Sequence, residues 1–145
     1  MINERYSYIL TVDEKYWNRL RQRKQAGSPL HIFVRKNKVG PKQVQQLLFY
    51  VTKKKQVLGS ADFVGRLTGN YEDLWETLGS ESYFESFAEY KSFAHEREIM
   101  TFIKFSNFNE ITNPKPKEEV AEVLGSMRGF GAGRYLDKET TLQLV

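Results

Sequence analysis

The sequence predicts an α+β fold, a small and mostly antiparallel β-barrel flanked by short helices. First, residues 46–66 contain two apolar runs rich in β-branched and aromatic residues, separated by a basic tip, which is the pattern of a β-hairpin. Second, the later run contains Gly59 and Gly65. Glycine inside a strand marks a bulge, a sharp bend at a barrel corner or a close approach of backbone. A small barrel accommodates such a strand most naturally.

Three elements are predicted before the hairpin. Residues 5–12 alternate loosely between apolar and polar side chains and form the first predicted strand. Thr11 and Glu14 match a capping box, which predicts a helix over residues 13–25 that a following glycine and proline end. The alternation in residues 30–36 then predicts a second strand.

The composition changes after the hairpin. Residues 67–70 are predicted to be a loop and residues 71–79 a short helix closed by glycine, while a second helix starts at 80–87 and runs through residue 93. Together they form an aromatic-rich helical insertion at about residues 70–97. The helix-like spacing of its aromatic side chains favours core packing over a ligand cage. These side chains are Tyr71, Trp75, Tyr83, Phe84, Phe87, Tyr90 and Phe93.

The last part of the chain completes the predicted fold. Residues 99–105 alternate as a strand that continues extended to residue 111, and a Pro-Lys-Pro turn leads into a helix over residues 117–124. A glycine-rich closing strand over residues 127–136 precedes a short terminal helix. The closing strand contains G-x-G-x-G, but outside a βαβ unit this pattern does not predict a dinucleotide site.

Length and composition narrow the class of protein. The 145 residues favour a single domain over residues 1–145. The chain has no cysteine, and His31 and His95 lie far apart without a patterned carboxylate nearby, so we expect neither a metal site nor a cofactor. The absence of a long apolar run and of a signal-peptide pattern predicts a cytoplasmic protein that does not contact the membrane. The oligomeric state stays open.

The charge is divided unevenly along the chain. Residues 1–66 carry 14 Lys/Arg and 4 Asp/Glu, a balance of +10, whereas residues 67–145 carry 8 and 14, a balance of −6; the two balances sum to the net +4. This asymmetry predicts a basic surface for a polyanion. Folding can also interleave the two halves, so ordinary solvated faces are the alternative.

Basic residues beside aromatic ones predict a binding cleft. Arginine and lysine neutralise phosphates, and a tyrosine ring can stack on a base, which favours RNA because its unpaired bases are accessible. Tyr50 or Tyr135 is the predicted stacking residue. The predicted phosphate contacts are Arg35, Lys36, Lys53, Lys54, Lys55, Arg128 and Arg134.

The order of several weak motifs resembles the PUA-like superfamily, particularly its ASCH and EVE branches, and looks most like an archaeal member. The motifs are YSYILTV, LLFYVT, QVLGSADFVG, FIKFSNFNEI and GFGAGRYLDKE, and the resemblance covers most of the chain outside residues 70–97. It implies a small, mostly antiparallel pseudobarrel flanked by helices. In many relatives the cleft of this fold meets RNA or a modified nucleobase.

The resemblance also implies site residues. Tyr50 and Thr52 fall where EVE-like proteins carry pocket-lining aromatic and hydroxyl residues, although Val51 stands in place of the expected histidine. ASCH domains line the cleft with G-x-K-x-x-E-x-R. Gly27 and Arg35 are candidates for its two ends, but this spacing is one residue longer and a phenylalanine occupies the place of the glutamate.

Three functions follow from these patterns. The leading hypothesis is a non-enzymatic module that binds RNA or a modified nucleotide. The second is a small ASCH-like amidohydrolase acting on a nucleoside-like substrate, in which Lys53 is activated by Thr52 and Asp62. The third is a protein-interaction domain that exposes the aromatic insertion. The lack of a convincing catalytic constellation favours binding over catalysis.

Overall fold

The computed structural model describes residues 5–36, 40–125 and 133–145. The strands are β1 (Ser7–Val12), β2 (Leu30–Lys36), β3 (Gln46–Val51), β4 (Gln56–Asn70), β5 (Ile99–Glu110) and β6 (Arg134–Leu136). The helices are α1 (Glu14–Gln25), α2 (Tyr71–Leu78), α3 (Phe87–Ala94), α4 (Lys117–Leu124) and α5 (Lys138–Leu144), with a 3₁₀ turn at Gly79–Glu81. Within the described ranges, no helix combines the length and the apolar character needed to span a membrane.

The strands form one sheet in the order β2-β5-β4-β3-β1-β6, in which only the β1–β3 pair is parallel. The predicted α+β class with a mostly antiparallel sheet is confirmed. The predicted barrel is wrong, because the sheet does not close: among the described residues no pairing joins β2 to β6. The outer edge of β2 instead meets the insertion, where Ile32 bridges Ser82 and the hydroxyl of Tyr83 contacts the backbone of Val34.

Strand β4 is longer and more irregular than its neighbours. Its register shifts against β3 beside Gly59 and against β5 beside Gly65, so both glycines mark bulges, as predicted. The predicted loop at residues 67–70 is wrong, because this stretch continues β4 and pairs with β5 as far as Asn70. The loop-forming character of Gly69 and Asn70 is overridden by this long-range pairing.

Helix α1 begins where β1 ends. Strand β1 extends through Val12, so the helix is capped by Asp13, whose Oδ1 accepts a hydrogen bond from the backbone N–H of Lys15 at 2.9 Å. The predicted cap, Thr11, lies inside the strand. The helix itself, predicted for residues 13–25, is confirmed to within one residue.

Both faces of the sheet are covered. Along β1 the side chains alternate: Leu10 joins the larger core beneath α1 and the insertion, whereas Ile9 joins a smaller core beneath α4 and α5. The insertion packs onto the larger core through Tyr90, which is fully buried and makes an edge contact with Phe102 at 5.8 Å between ring centroids. Helix α1 and the insertion therefore cover the same face and stand side by side.

Candidate functional site

A pocket of about 310 Å³ lies between helix α1, the end of β2 and the insertion. It combines aromatic rings, two cations, a carboxylate and a hydroxyl. The lining residues are Thr11, Asp13, Tyr16, Phe33, Val34, Arg35, Lys36, Tyr83 and Phe93.

The aromatic wall of the pocket is built from two parts of the chain. Tyr83 is anchored by its hydroxyl, which accepts from the Val34 N–H at 3.1 Å and lies 3.3 Å from the Val34 carbonyl, to which it donates. Burial raises the pKa of Tyr83 far above its ordinary value, so the phenol stays neutral and keeps this donor. Tyr16 from α1 stacks on Tyr83 with centroids 4.5 Å apart and planes 23° apart. Phe93 completes the wall in an edge-to-face contact with Tyr16, with the ring centroids 6.1 Å apart.

The cationic side of the pocket comes from the end of β2. The Nζ of Lys36 lies 4.8 Å from the centroid of the Phe93 ring, a cation–π contact. The pKa values of Tyr8 and Tyr83 are raised mainly by burial, and the positive charge of Arg35 opposes this rise at both phenols. Arg35 therefore brings a second positive charge to the same region.

The pocket lining also contains hydrogen-bond acceptors. Asp13 caps α1 through one oxygen, and Thr11 precedes it at the end of β1. Burial is the main cause that raises the pKa of the Tyr16 phenol, and the negative charge of Asp13 adds to this rise. Asp13 and Tyr16 line the same pocket, so the carboxylate lies near the Tyr16 ring.

Ion pairs hold the insertion against α1. Arg19 contacts Glu85 at 2.6 Å and also pairs with Glu89, and it donates to the carbonyl oxygen of Tyr83 at 3.3 Å. Lys15 adds a contact with Glu89 at 3.4 Å. The hydrogen bond from Arg19 is the main cause that lowers the pKa of Glu89 to about 2. These contacts fix the aromatic wall because both of its parts are tied to the same arginine.

Of the predicted site residues that the structure describes, only Arg35 and Lys36 line this pocket. The tip of the hairpin, residues 52–55, is exposed and lies elsewhere. Tyr50 and Lys55 line a separate pocket of about 430 Å³ together with Lys117, Glu118 and Ala121. Lys54 lines a third pocket, with Trp17 and Arg21. The structure therefore distributes the predicted cleft residues over several places.

The predicted residues near the C-terminus make internal contacts. Arg134 donates to the carbonyl of Leu124 at 2.8 Å. The rings of Tyr135 and Tyr8 make an edge contact with their centroids 5.0 Å apart. The Tyr135 hydroxyl accepts a hydrogen bond from the backbone N–H of Lys42 at 3.2 Å. Arg128 lies outside the described residues. Arg134 and Tyr135 thus contribute to packing and are absent from the lining of the 310 Å³ pocket.

The three residues proposed for amidohydrolase chemistry do not meet. The side chain of Lys53 is 74% exposed, and its Nζ lies 3.8 Å from Oε1 of Glu14. Asp62 accepts from Asn107 at 2.7 Å and pairs with Gln46, at the far end of β3 from the tip. The five residue steps of β3 between Gln46 and Val51 correspond to about 17 Å, so Asp62 lies far from the tip that carries Lys53. The described residues also hold no cluster of three groups suited to a metal ion.

Sequence reasoning missed most of the pocket. The helical spacing of residues 13–25 places Tyr16 on an apolar stripe, and the spacing within the insertion favours core packing for Tyr83 and Phe93. The available signal was the density of aromatic residues in the insertion, but the contact between Tyr16 and Tyr83 joins residues 67 positions apart. Neither periodicity nor local motifs reveal such a contact.

Comparisons with known proteins identify the fold. No protein-family model matches the chain, and no curated protein matches it. Crystal structures of an ASCH protein from Zymomonas mobilis do match. One of them, ASCH from Zymomonas mobilis, is 18% identical, with a TM-score of 0.77 and coverage of 96% of this chain and 93% of that one. A serine-to-alanine mutant gives 20% identity, a TM-score of 0.78 and coverage of 97% and 94%. A tyrosine-to-phenylalanine mutant gives 16% identity, a TM-score of 0.76 and coverage of 96% of both chains. The chain therefore has the fold of these ASCH structures.

Proposed function

We propose that the protein is a nucleotide-binding module of the PUA-like superfamily, which binds a nucleotide, free or as an unpaired residue of RNA, in the 310 Å³ pocket. The observation that carries the proposal is the meeting of an aromatic wall with Arg35 and Lys36 in one concave site. Aromatic side chains stack on bases with about 1–3 kcal/mol per base. Arginine and lysine bind phosphate through charge-assisted hydrogen bonds. The shared ASCH fold supports the assignment to this superfamily.

The size of the pocket restricts what enters it. Small-molecule sites typically occupy about 300–1,000 Å³. At about 310 Å³ the pocket lies at the lower end of this range. We therefore expect it to accept one nucleoside, with further nucleotides of an RNA chain outside it.

The alternative functions have less support. The amidohydrolase needs a lysine activated by neighbouring groups, but Lys53 and Asp62 lie at opposite ends of the hairpin. A protein-interaction surface on the insertion needs several exposed rings, but Phe84 and Tyr90 are buried and, of the aromatic side chains of the insertion, only Phe87 is exposed.

Titration with mononucleotides and short single-stranded RNA tests the proposal. The key variant combines Arg35→Gln with Lys36→Gln. The matched control combines Lys54→Gln with Lys55→Gln, which removes the same charge from the exposed hairpin tip. We expect the pocket variant to weaken nucleotide binding at least about tenfold, because hydrogen bonds to charged groups contribute about 1.5–3 kcal/mol each. We expect the control to change mononucleotide affinity less than about twofold, since surface charges away from the site contribute little.

Two results would contradict the proposal. Equal weakening by both variants would mean that the ligand responds to overall charge and not to the pocket. A wild-type protein that binds neither nucleotides nor RNA at low salt, where phosphate contacts are strongest, would exclude nucleotide binding altogether.

A further inference from the structure

The pocket contains two opposite charges that do not pair with each other. The Lys36 ammonium lies over the Phe93 ring, and Asp13 accepts one backbone hydrogen bond from Lys15. Within the described part of the chain, neither Lys36 nor Asp13 forms an ion pair. A charged group in a pocket that lacks a protein partner is left to interact with water or with a ligand. The pocket therefore offers a cation for an anionic group and a carboxylate that accepts hydrogen bonds.

We propose that Asp13 selects nucleobases that carry an exocyclic amino group, while Arg35 and Lys36 bind the phosphate of the same nucleotide. This inference rests on the proposed function and specifies its ligand. An ionised carboxylate only accepts hydrogen bonds, and the amino groups of adenine, cytosine and guanine donate them. Uracil has no amino group, and its single ring N–H lies between two carbonyl oxygens that a carboxylate repels.

The position of Asp13 suits this role because the helix fixes it. Its Oδ1 accepts from the Lys15 N–H at 2.9 Å, and its backbone carbonyl accepts from the Trp17 N–H at 2.9 Å. The side chain is therefore held at the helix start, with its second oxygen available to a ligand. Tyr16 lines the same pocket, and the charge of Asp13 acts on its phenol, so a base held against Tyr16 would bring its edge towards this oxygen.

The variant Asp13→Asn separates recognition from folding. Asparagine caps a helix as well as aspartate, so α1 is expected to stay intact and the melting temperature to stay close to that of the wild type. The amide has donors as well as an acceptor, so it no longer favours amino-bearing bases. Lys36→Gln is the comparison variant, because it removes a phosphate contact that all nucleotides share.

Isothermal titration of wild type and both variants with AMP, CMP, GMP and UMP provides the measurement. For the wild type we expect UMP to bind about tenfold more weakly than the other three, the effect of one lost hydrogen bond to a charged group. Asp13→Asn should reduce this difference to within about twofold, by weakening AMP, CMP and GMP and not UMP. Lys36→Gln should weaken all four nucleotides by a similar factor and preserve their order.

The outcomes distinguish this inference from the proposed function. If UMP binds the wild type as tightly as the other nucleotides, or if Asp13→Asn leaves the preference unchanged, base selection by Asp13 is refuted while nucleotide binding stands. If none of the four nucleotides binds, and short homopolymers of adenosine, cytidine and uridine do not bind either, both are refuted. Tighter binding of adenosine and cytidine homopolymers than of AMP and CMP, with uridine weakest, identifies RNA as the source of the base; binding of the mononucleotides alone identifies free nucleotides.

Discussion

Replacing Gly59 by alanine tests the packing that connects the pocket to the sheet. A Cβ atom at this position would lie 2.6 Å from Cη2 and 2.9 Å from Cζ3 of Trp17, and 3.0 Å from the backbone oxygen of Asn109. The first two distances are far below van der Waals contact, and the third involves a backbone atom. Trp17 is 4% exposed and packs against Phe108 at 5.3 Å, so its ring has little room to move away.

The expected cost follows from this geometry. Inserting atoms into a packed core typically costs about 1–3 kcal/mol. For a protein of this size, 1 kcal/mol lowers the melting temperature by about 2–4 °C. We therefore expect Gly59→Ala to lower it by about 2–12 °C. Because Trp17 and Tyr16 are neighbours on α1, a displaced Trp17 should also weaken nucleotide binding.

Thermal and urea denaturation followed by tryptophan fluorescence measure this effect, and Gly65→Ala is the matched control. Gly65 lies at the other bulge of β4, but a Cβ atom there would meet nothing within 4 Å and its backbone does not require glycine. We expect the control to stay within about 0.5 kcal/mol of the wild type. Equal stability of Gly59→Ala and Gly65→Ala would refute the close contact between Trp17 and β4.

Three further predictions concern polar side chains that make internal contacts. His31 has its pKa lowered to about 4 by burial and then by nearby cations, so the wild type should lose stability relative to His31→Gln as pH falls from 6.5 towards 4 in urea melts; parallel curves would contradict this. The hydrogen bond from Arg19 lowers the pKa of Glu89 to about 2. The stability advantage of the wild type over Glu89→Gln should therefore be complete above pH 4.5 and should shrink as pH falls towards 2. A stability difference that stays constant over this range would show that the ion pair contributes nothing. Tyr83→Phe should cost about 1–3 kcal/mol, because the backbone groups of Val34 lose their partner, and an unchanged unfolding midpoint would show that water replaces it.

Local sequence signals predicted most of the fold. The hairpin of β3 and β4 follows from its two apolar runs, and the bulges follow from Gly59 and Gly65. The failure at residues 67–70 has a physical cause: glycine and asparagine favour turns locally, but pairing with β5 supplies hydrogen bonds that a local pattern does not show. The open sheet was missed for a related reason, since the partner of the β2 edge is Tyr83, 49 positions away from Val34.

The site was harder to predict than the fold because its parts are distant in sequence. Arg35 and Lys36 were found from charge alone, whereas Asp13 was read only as part of a helix start. The lysines of the hairpin tip and Arg35 were assigned to one cleft because all of them are basic. The sequence does not show how far apart these side chains lie in the folded protein. Register places Tyr50 with Lys55 in another pocket, together with the first turn of α4.

Folding also changes the meaning of the charge asymmetry. Several bases of the first half of the chain pair with acids of the second half, and these pairs are Lys15–Glu89, Arg19–Glu85, Arg19–Glu89 and Arg21–Glu110. Part of the charge difference between the two halves, +10 against −6, is therefore neutralised by intramolecular ion pairs that hold α1 against the insertion and β5. Lys36 takes part in none of the ion pairs found among the described residues, and it lies in a concave aromatic site. We therefore expect an anion that requires both charge and an aromatic surface to bind in the pocket, although the exposed hairpin tip carries more lysines.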